Sequence, residues 1–284
     1  MTQGILYIVA TPIGNLQDCS MRAIQILKQV DLIAAEDTRH SRRLLDQFGI
    51  TTPLYALHEH NEYHHSQTLT SRLLSGTSIA LISDAGTPLI SDPGYYLVAA
   101  CHQAGIVVSP IPGASALISA LSAAGMPADR FVFEGFLAAK SGARCKQLEA
   151  LRQESRTLVF YETPHRIVDS VADMIAIFGA AREVVMAREL TKVYETIHRS
   201  SLGELFQWLQ QDTQQQKGEF VLVIAGAPPQ SNEEIPAEAV RIFHLLREEL
   251  PLKQAAKLTS QITGIHRNQL YALGLQENPK ETGE

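Results

Sequence analysis

The chain lacks Gly-x-Gly anywhere among its 18 glycines, and it lacks Gly-x-x-x-x-Gly-Lys-Ser/Thr. The first absence removes the dinucleotide fingerprint, whose closely spaced glycines let backbone approach a pyrophosphate. The second disfavours a P-loop phosphotransferase. No Gly-x-Ser-x-Gly elbow is present to expose a nucleophilic serine. Cysteine is scarce: Cys19, Cys101 and Cys145 are widely spaced and odd in number. They form neither a disulfide framework nor a metal-ligand spacing, and they fit a reducing cytoplasm. No uncharged run is both long and apolar enough to span a bilayer; the richest, 95–126, is broken by His102, Gln103, Pro110, Pro112 and Gly113. A strand pattern begins by Ile5 without a basic region before it, so no secretory signal is expected. Basic charge is short as well, with 24 Lys and Arg against 30 Asp and Glu and a net charge of −6. That balance does not advertise nucleic-acid binding, although an anionic partner can still be met by a local patch.

What is present is a globular composition, 45% hydrophobic and 19% charged over 284 residues, long enough for two domains and a small appendage. The organising stretch is 78–94. It begins with the apolar run Ile79 to Ile82, the pattern of a strand buried on both faces of a parallel sheet. It continues as Ser83-Asp84-Ala85-Gly86-Thr87-Pro88-Leu89-Ile90-Ser91-Asp92-Pro93-Gly94, a loop longer and stiffer than an ordinary strand-to-helix connection. At the carboxyl end of a central strand, such a loop lies where open α/β sheets bind ligands. Its Asp84 and its carbonyls favour a ligand with hydroxyls or positive charge over one with phosphates.

Short apolar strands alternate with helices through the first half: strands at Ile5–Ala10, Leu32–Ala35, Leu54–Leu57, Ile79–Ile82 and Ile106–Ile111. Ser20 caps a helix running to about Val30, and Pro112-Gly113-Ala114-Ser115-Ala116 opens another. This alternation predicts a parallel, doubly wound sheet over 1–125. Residues 126–228 read as a second α/β domain with a mixed sheet, in which 184–198 form a hairpin. A Pro-rich linker at 227–236 then leads to helices over 237–276. Helix, Gly-containing turn and helix suggest a helix-turn-helix unit, with a plain three-helix packing unit as the alternative. Five Lys and Arg against three Glu make it mildly basic, with Lys253 and Arg267 as its nucleic-acid contacts.

Candidate polar residues cluster after the strands. Asp37 and Arg39 follow the second strand and are either a helix-start charge pair or substrate contacts. Arg39, Arg42, Lys140 and Arg144, with Arg43 and Lys146, are the candidate phosphate contacts. The stretch His58-Glu59-His60-Asn61-Glu62 lacks His-Glu-x-x-His spacing, because Glu62 stands where a second His is needed. It is read as a substrate-facing or solvated loop offering His58 and His60, with no metal site.

Several segments carry a resemblance. Val9-Ala10-Thr11-Pro12-Ile13-Gly14-Asn15-Leu16, Ala35-Glu36-Asp37-Thr38-Arg39, His58 to Glu62, Ser83 to Gly94 and Pro112 to Ala116 occur in that order. Tyr161-Glu162-Thr163-Pro164-His165-Arg166, Arg188-Glu189-Leu190-Thr191-Lys192 and Lys217-Gly218-Glu219-Phe220 continue it. Together they resemble the ribosomal RNA small-subunit methyltransferase I family, within the tetrapyrrole-methylase superfamily; Ala138-Ala139 replaces a Pro-containing turn expected there. The resemblance implies two α/β domains of that superfamily's type, of class III among methyltransferases, with a C-terminal helix-turn-helix unit. It implies S-adenosylmethionine bound in the cleft between the two domains, at Pro12, Asp84, Ala85, Gly86, Thr87, Ser115, Ala116, Tyr161, Glu162, Leu190 and Ala225. It also implies 2′-O-methylation of a cytidine in 16S rRNA of the small ribosomal subunit, by a cytoplasmic homodimer. Asp37 is then the candidate base or hydroxyl orienter, and Arg39 the grip on the adjacent phosphate. Two rivals remain at this point: a non-catalytic nucleic-acid-binding protein with the α/β body as ligand sensor, and a methylase of tetrapyrroles.

Overall fold

A computed structural model describes residues 3–58, 61–228 and 235–277. They form two compact units, 1–227 and 228–284. The first unit holds two five-stranded sheets. The first sheet is built from β1 (Ile5–Val9), β2 (Leu32–Ala35), β3 (Leu54–Ala56), β4 (Ile79–Ile82) and β5 (Val107–Ile111), in the order β3-β2-β4-β1-β5. Every pairing in it is parallel. All five carboxyl ends therefore emerge on one edge, and β1 and β4, side by side, bring their following loops together.

The connecting helices cover both faces, which is why these strands are apolar on both sides. On one face, α1 (Met21–Gln29) and α2 (Thr38–Gln47) bury Leu27 and Leu45 against Val9, Ile33 and Ile82. On the other, α3 (Glu62–Leu74) and α4 (Tyr95–Gln103) bury Leu69, Leu73 and Leu97 against Leu6 and Leu81. Each fully buried leucine contributes about 1.5–3 kcal/mol. The helix starts follow local chemistry: the Ser20 hydroxyl accepts from Ala23 N–H at 3.1 Å, satisfying a donor the helix cannot.

The second sheet comprises β6 (Phe131–Phe136), β7 (Thr157–Glu162), β8 (Glu183–Arg188), β9 (Thr196–Ser201) and β10 (Phe220–Ile224), ordered β6-β7-β10-β8-β9. Only β6 and β7 run parallel; β10 is antiparallel to both β7 and β8, and β8 to β9. The sheet is mixed, and β8 and β9 form the expected hairpin, with the second strand shifted to 196–201. α6 (Ser141–Ala150), α7 (Ile167–Phe178) and α8 (Leu202–Gln211) cover one face. The other face takes α5 (Ala116–Ala123), whose Leu117, Ala120 and Leu121 pack on Val159, Val185, Val221 and Val223. The helix leaving the first sheet thus packs on the second, and Ile13 joins the same cluster from the loop after β1.

In the second unit α9 (Ala237–Glu249), α10 (Leu252–Thr263) and α11 (Arg267–Glu277) enclose Phe243, Leu252, Ala255, Ala256 and Leu270. Most of the Pro-rich linker read at 227–236 lies outside the described residues. Among the described residues, no helix is long and apolar enough to cross a membrane.

Candidate active site

The loops after β1, β4 and β5 are stitched together at the carboxyl edge of the first sheet. Thr11 and Gly86 exchange backbone hydrogen bonds at 2.9 and 3.1 Å, an isolated antiparallel bridge between two loops. The Thr11 hydroxyl donates to Ser83 O at 3.2 Å, and the Thr87 hydroxyl donates to Ala114 O at 3.0 Å. Gly86 has φ +86, and a Cβ there would stand 3.2 Å from Ile13 Cγ2. Glycine is thus required both by the backbone angle and by the close approach.

These loops form one wall of a cavity of about 720 Å³. Asp84 to Thr87, Ile90 to Asp92, Ser115 and Ala116 line it from the first half. Phe136, Tyr161 to His165, Ala187, Glu189, Leu190, Lys192 and Gly218 to Val221 line it from the second. Tyr161 ties the walls together: its hydroxyl accepts from Leu117 N–H at 3.2 Å, at the start of α5. Burial, then the nearby Asp92 carboxylate, push the Tyr161 phenol up, against that hydrogen bond. The tight backbone turns are here too. Leu89, Ser91, Glu189 and Thr191 all adopt positive φ, and each belongs to a segment that lines the cavity.

Carboxylates dominate the lining. Asp84, Asp92, Glu162, Glu189 and Glu219 face Lys192 and His165. Lys192 is neutralised by Glu189 at 2.9 Å and Glu219 at 2.8 Å. Glu162 is buried, bound by Arg166 at 3.1 Å and by the Ser170 hydroxyl at 2.6 Å. An anionic cavity with apolar Ile13, Ile90, Leu190 and Val221 repels a polyphosphate. It suits a cationic sulfonium carrying a flat base and ribose hydroxyls, the chemistry of S-adenosylmethionine.

The cavity brings together Asp84, Ala85, Gly86, Thr87, Ser115, Ala116, Tyr161, Glu162 and Leu190 of the expected cofactor set. Pro12 and Ala225 do not line it. Pro12 is buried between Thr11, which bonds to the 86 loop, and Ile13, which lines the cavity. Ala225 is displaced by strand direction. Because β10 runs antiparallel to β7, its first residues face the cavity, and Ala225, past its last residue, pairs instead with Glu183 O at 3.0 Å.

Asp37 also departs from expectation. It is exposed, and its Oδ1 accepts from Arg39 N–H at 2.7 Å and His40 N–H at 3.1 Å, capping α2. Those two bonds, with nearby positive charge, hold its carboxyl below the usual range, the wrong direction for a base at neutral pH. It touches the site through its backbone, whose N–H donates to Asp84 Oδ1 at 3.2 Å. Arg39 is exposed beside it.

Two expected phosphate contacts are committed elsewhere. Arg144 is buried, paired with Asp173 at 2.7 Å and donating to Ala138 O and Ala139 O at 3.3 Å, so its guanidinium holds α6 to α7 rather than meeting RNA. Arg42 turns back onto Ile50 O at 3.3 Å and Thr52 O at 3.1 Å, bracing the turn before β3. Lys140, Lys253 and Arg267 are exposed, and His58 is half-buried. His60 lies outside the described residues.

Sequence reasoning passed over Glu62, Asp92, Glu189, Lys192 and the 218–221 segment. Glu62 accepts from Gly94 N–H at 2.9 Å and Tyr96 N–H at 2.8 Å, clamping the end of the loop. Asp92 stood in the organising stretch, but nothing local showed that it is half-buried in the cavity lining. The 189–192 and 217–220 segments were visible only as part of the resemblance.

A parallel α/β layer, a mixed α/β layer and this cavity define a methylase of the tetrapyrrole-methylase type. A family model described as Tetrapyrrole (Corrin/Porphyrin) Methylases matches residues 5–205, and one described as RsmI C-terminal HTH domain matches 233–278. The solved uroporphyrin-III-C-methyltransferase of Thermus thermophilus superposes with a TM-score of 0.56 at 17% identity, covering 78% of this chain and 94% of that one. A diphthine synthase gives 0.57 at 15%, covering 78% and 90%. At these identities the likeness is one of fold. Closer relatives are proteins called ribosomal RNA small subunit methyltransferase I. The one from Pseudomonas aeruginosa is 55% identical over 281 residues, covering 99% of this chain and all of that protein. The one from Escherichia coli O157:H7 is 54% identical over 276 residues, covering 97% and 96%. The chain belongs to the ribosomal RNA small subunit methyltransferase I family.

Proposed function

We propose that the protein transfers a methyl group from S-adenosylmethionine to the ribose 2′-hydroxyl of a cytidine in 16S rRNA of the small ribosomal subunit. The observation that carries this reading is the anionic, phosphate-averse cavity in a chain of this family. Asp84, Thr87, Ser115, Tyr161 and Leu190 are the residues that would hold the cofactor. When bound, the cofactor supplies an electrophilic methyl group on sulfur. The residues around it align that methyl with the acceptor oxygen, exclude water and accept a proton.

Exposed Arg39 and Lys140 supply phosphate contacts from the first unit, and Lys253 and Arg267 from the second. Their point charges position the RNA rather than read its sequence. Action as a cytoplasmic homodimer belongs to the same reading and rests on the family resemblance. Methylation of a tetrapyrrole, the rival that shares the cofactor, is disfavoured by the contrast between 55% identity over the full length and 17% at the level of fold.

The test is to incubate the protein with labelled S-adenosylmethionine and small subunits that lack the modification, then locate the label by nucleotide. Label on one cytidine ribose supports the reading. Label on a base, or none on RNA, rejects it.

A further inference from the structure

We propose that Tyr63, Tyr95 and Tyr96 form a platform on which unpaired RNA bases beside the target nucleotide stack. The inference rests on the reading of the protein as an RNA 2′-O-methyltransferase and assigns the surface that receives the bases next to the methylated ribose.

The fold gathers these rings from two distant segments. Tyr63 stands in the first turn of α3, and Tyr95 and Tyr96 in the first turn of α4. Glu62, the residue before Tyr63, joins the two helix starts by accepting from the N–H groups of Gly94 and Tyr96. Tyr63 and Tyr96 then meet edge-to-face, with ring centres 5.7 Å apart and planes at 90°. Tyr95 and Tyr96 do the same at 5.4 Å and 70°, and His64 adds an edge contact to Tyr63 at 5.5 Å.

An edge-to-face pair covers a face of only one of its rings, so flat surface is left over. Tyr63, Tyr95 and Tyr96 remain 59%, 68% and 49% exposed. Three adjacent aromatic rings left in water forgo burial that would stabilise the fold, and such patches mark interaction sites. A tyrosine has only two side-chain torsions to lose on binding, and the Glu62 clamp holds both helix starts before any partner arrives.

The patch lies beside the cavity. Strands β3, β2 and β4 are adjacent and parallel, so the segments after them share the carboxyl edge of the sheet. Ser91 and Asp92 line the cavity, and Tyr95 comes three residues after Asp92. Its Cα is therefore within about 11 Å of that lining residue, the length of about three stacked bases. Between the two helix starts, at the end of β2, the exposed Arg39 stands in the first turn of α2. The same edge thus offers aromatic faces for bases and a fixed cation for backbone phosphate, the pairing that single-stranded RNA requires. A duplex keeps its base faces stacked inside and cannot use such a platform.

A second copy of the chain is the other occupant to weigh, and the extent of the patch argues against it. Over the next two turns of α3 the exposed residues are Gln67, Thr68, Ser71 and Arg72, and further along α4 they are His102 and Gln103. A stable protein interface covers about 800 Å² on each partner, well beyond three half-exposed rings. Stacking is tolerant of base identity, so this platform selects an unpaired presentation of the target rather than its sequence.

The experiment measures affinity for small subunits that lack the modification, by filter binding over a salt series. It compares wild type with Tyr63→Ala, Tyr95→Ala, Tyr95→Leu and Tyr95→Phe. Calorimetry follows cofactor affinity, and light scattering the oligomeric state, of each. Each alanine variant is expected to bind subunits roughly 5–100-fold more weakly, the loss of one stacked base. Cofactor affinity and the salt slope should not change, since none of the three rings lines the cavity or meets a phosphate. Tyr95→Phe should bind as wild type does, and Tyr95→Leu should weaken with Tyr95→Ala, because a flat face rather than apolar bulk carries the contact. A leucine variant that binds like wild type overturns the proposal. A changed oligomeric state in the alanine variants also overturns it, since the rings would then join two copies. A wild type that labels no RNA removes the functional reading and the platform together. Labelled RNA with alanine variants that bind subunits as tightly as wild type removes only the platform.

Discussion

The buried carboxylate of Glu62 accepts a hydrogen bond from the backbone N–H of Gly94, with the two heavy atoms 2.9 Å apart. A second bond from Tyr96 N–H at 2.8 Å makes Glu62 the cap of α4 although it begins α3. One side chain therefore fixes the exit of the 83–94 loop from 32 residues away. Replacing Glu62 with Ala leaves these donors without an acceptor, which costs about 1–3 kcal/mol for a buried group. Urea denaturation should show that loss. Calorimetry should show weaker cofactor binding in the folded variant, because the loop that lines the cavity is no longer held. Full cofactor affinity in a destabilised but folded variant would mean that the loop keeps its shape without the clamp.

The Thr11–Gly86 bridge makes a second, sharper test of the loop junction. In Gly86→Ala the backbone would have to keep φ +86 with a side chain, and its methyl would press on Ile13 and approach Ala114 O at 3.6 Å. Left-handed geometry costs a non-glycine residue roughly 1–2 kcal/mol. Since Ile13 and Gly86 both line the cavity, cofactor affinity should fall by more than this stability cost alone accounts for. Thermal denaturation and calorimetry on the same sample separate the two effects.

Arg144 and Arg39 look alike in sequence and should behave in opposite ways. Arg144→Ala leaves the Asp173 carboxylate facing a void, and breaking a buried pair costs about 3–5 kcal/mol. The value should sit near the lower end, because Asp173 keeps some contact with solvent. The dependence of RNA affinity on salt should not change. Arg39→Ala should leave stability untouched, weaken RNA binding and reduce the magnitude of the logarithmic salt slope by about 0.7–0.9, the loss of one phosphate contact. Denaturation curves and binding titrations over a salt series decide both.

These contrasts mark what was legible in the sequence. Apolar periodicity and turn residues located β2 at Leu32–Ala35, the Ser20 cap and the two-layer order, because each depends on neighbours a few residues away. The 83–94 loop was legible for the same reason. The direction of β10 was not, since an apolar pentapeptide reads the same in either sense. Charge type did not reveal that Arg144 is buried against Asp173, 29 positions away. Glu62 was judged against a metal motif, while its actual partners are backbone donors on another helix. Asp37 and Asp92 both follow strands of the first sheet, and only the folded chain distinguishes an exposed helix cap from a half-buried carboxyl in the cavity lining.

Asp92 should leave a signature in the dependence of stability on pH. Its carboxyl titrates near 3.8 in an unfolded chain and at about 6 in the folded one. A raised folded value means that the folded state binds the proton more tightly. The associated stability is fully present below 3.8 and is lost as the pH rises through about 6. Asparagine cannot ionise, so Asp92→Asn escapes that loss. Without cofactor, the two proteins should melt alike in acid, and the variant should become the more stable as the pH passes 6. The full shift would be worth roughly 3 kcal/mol, and the solvent still reaching the carboxyl reduces the expected gain to about 1–2 kcal/mol. For a unit of this size that is a rise of a few degrees in melting temperature, about 2–4 °C per kcal/mol. A melting series at fixed ionic strength checks it. A difference that is constant with pH, or that favours wild type above pH 6, would show that Asp92 is not held in a poorly solvated position in the cavity lining.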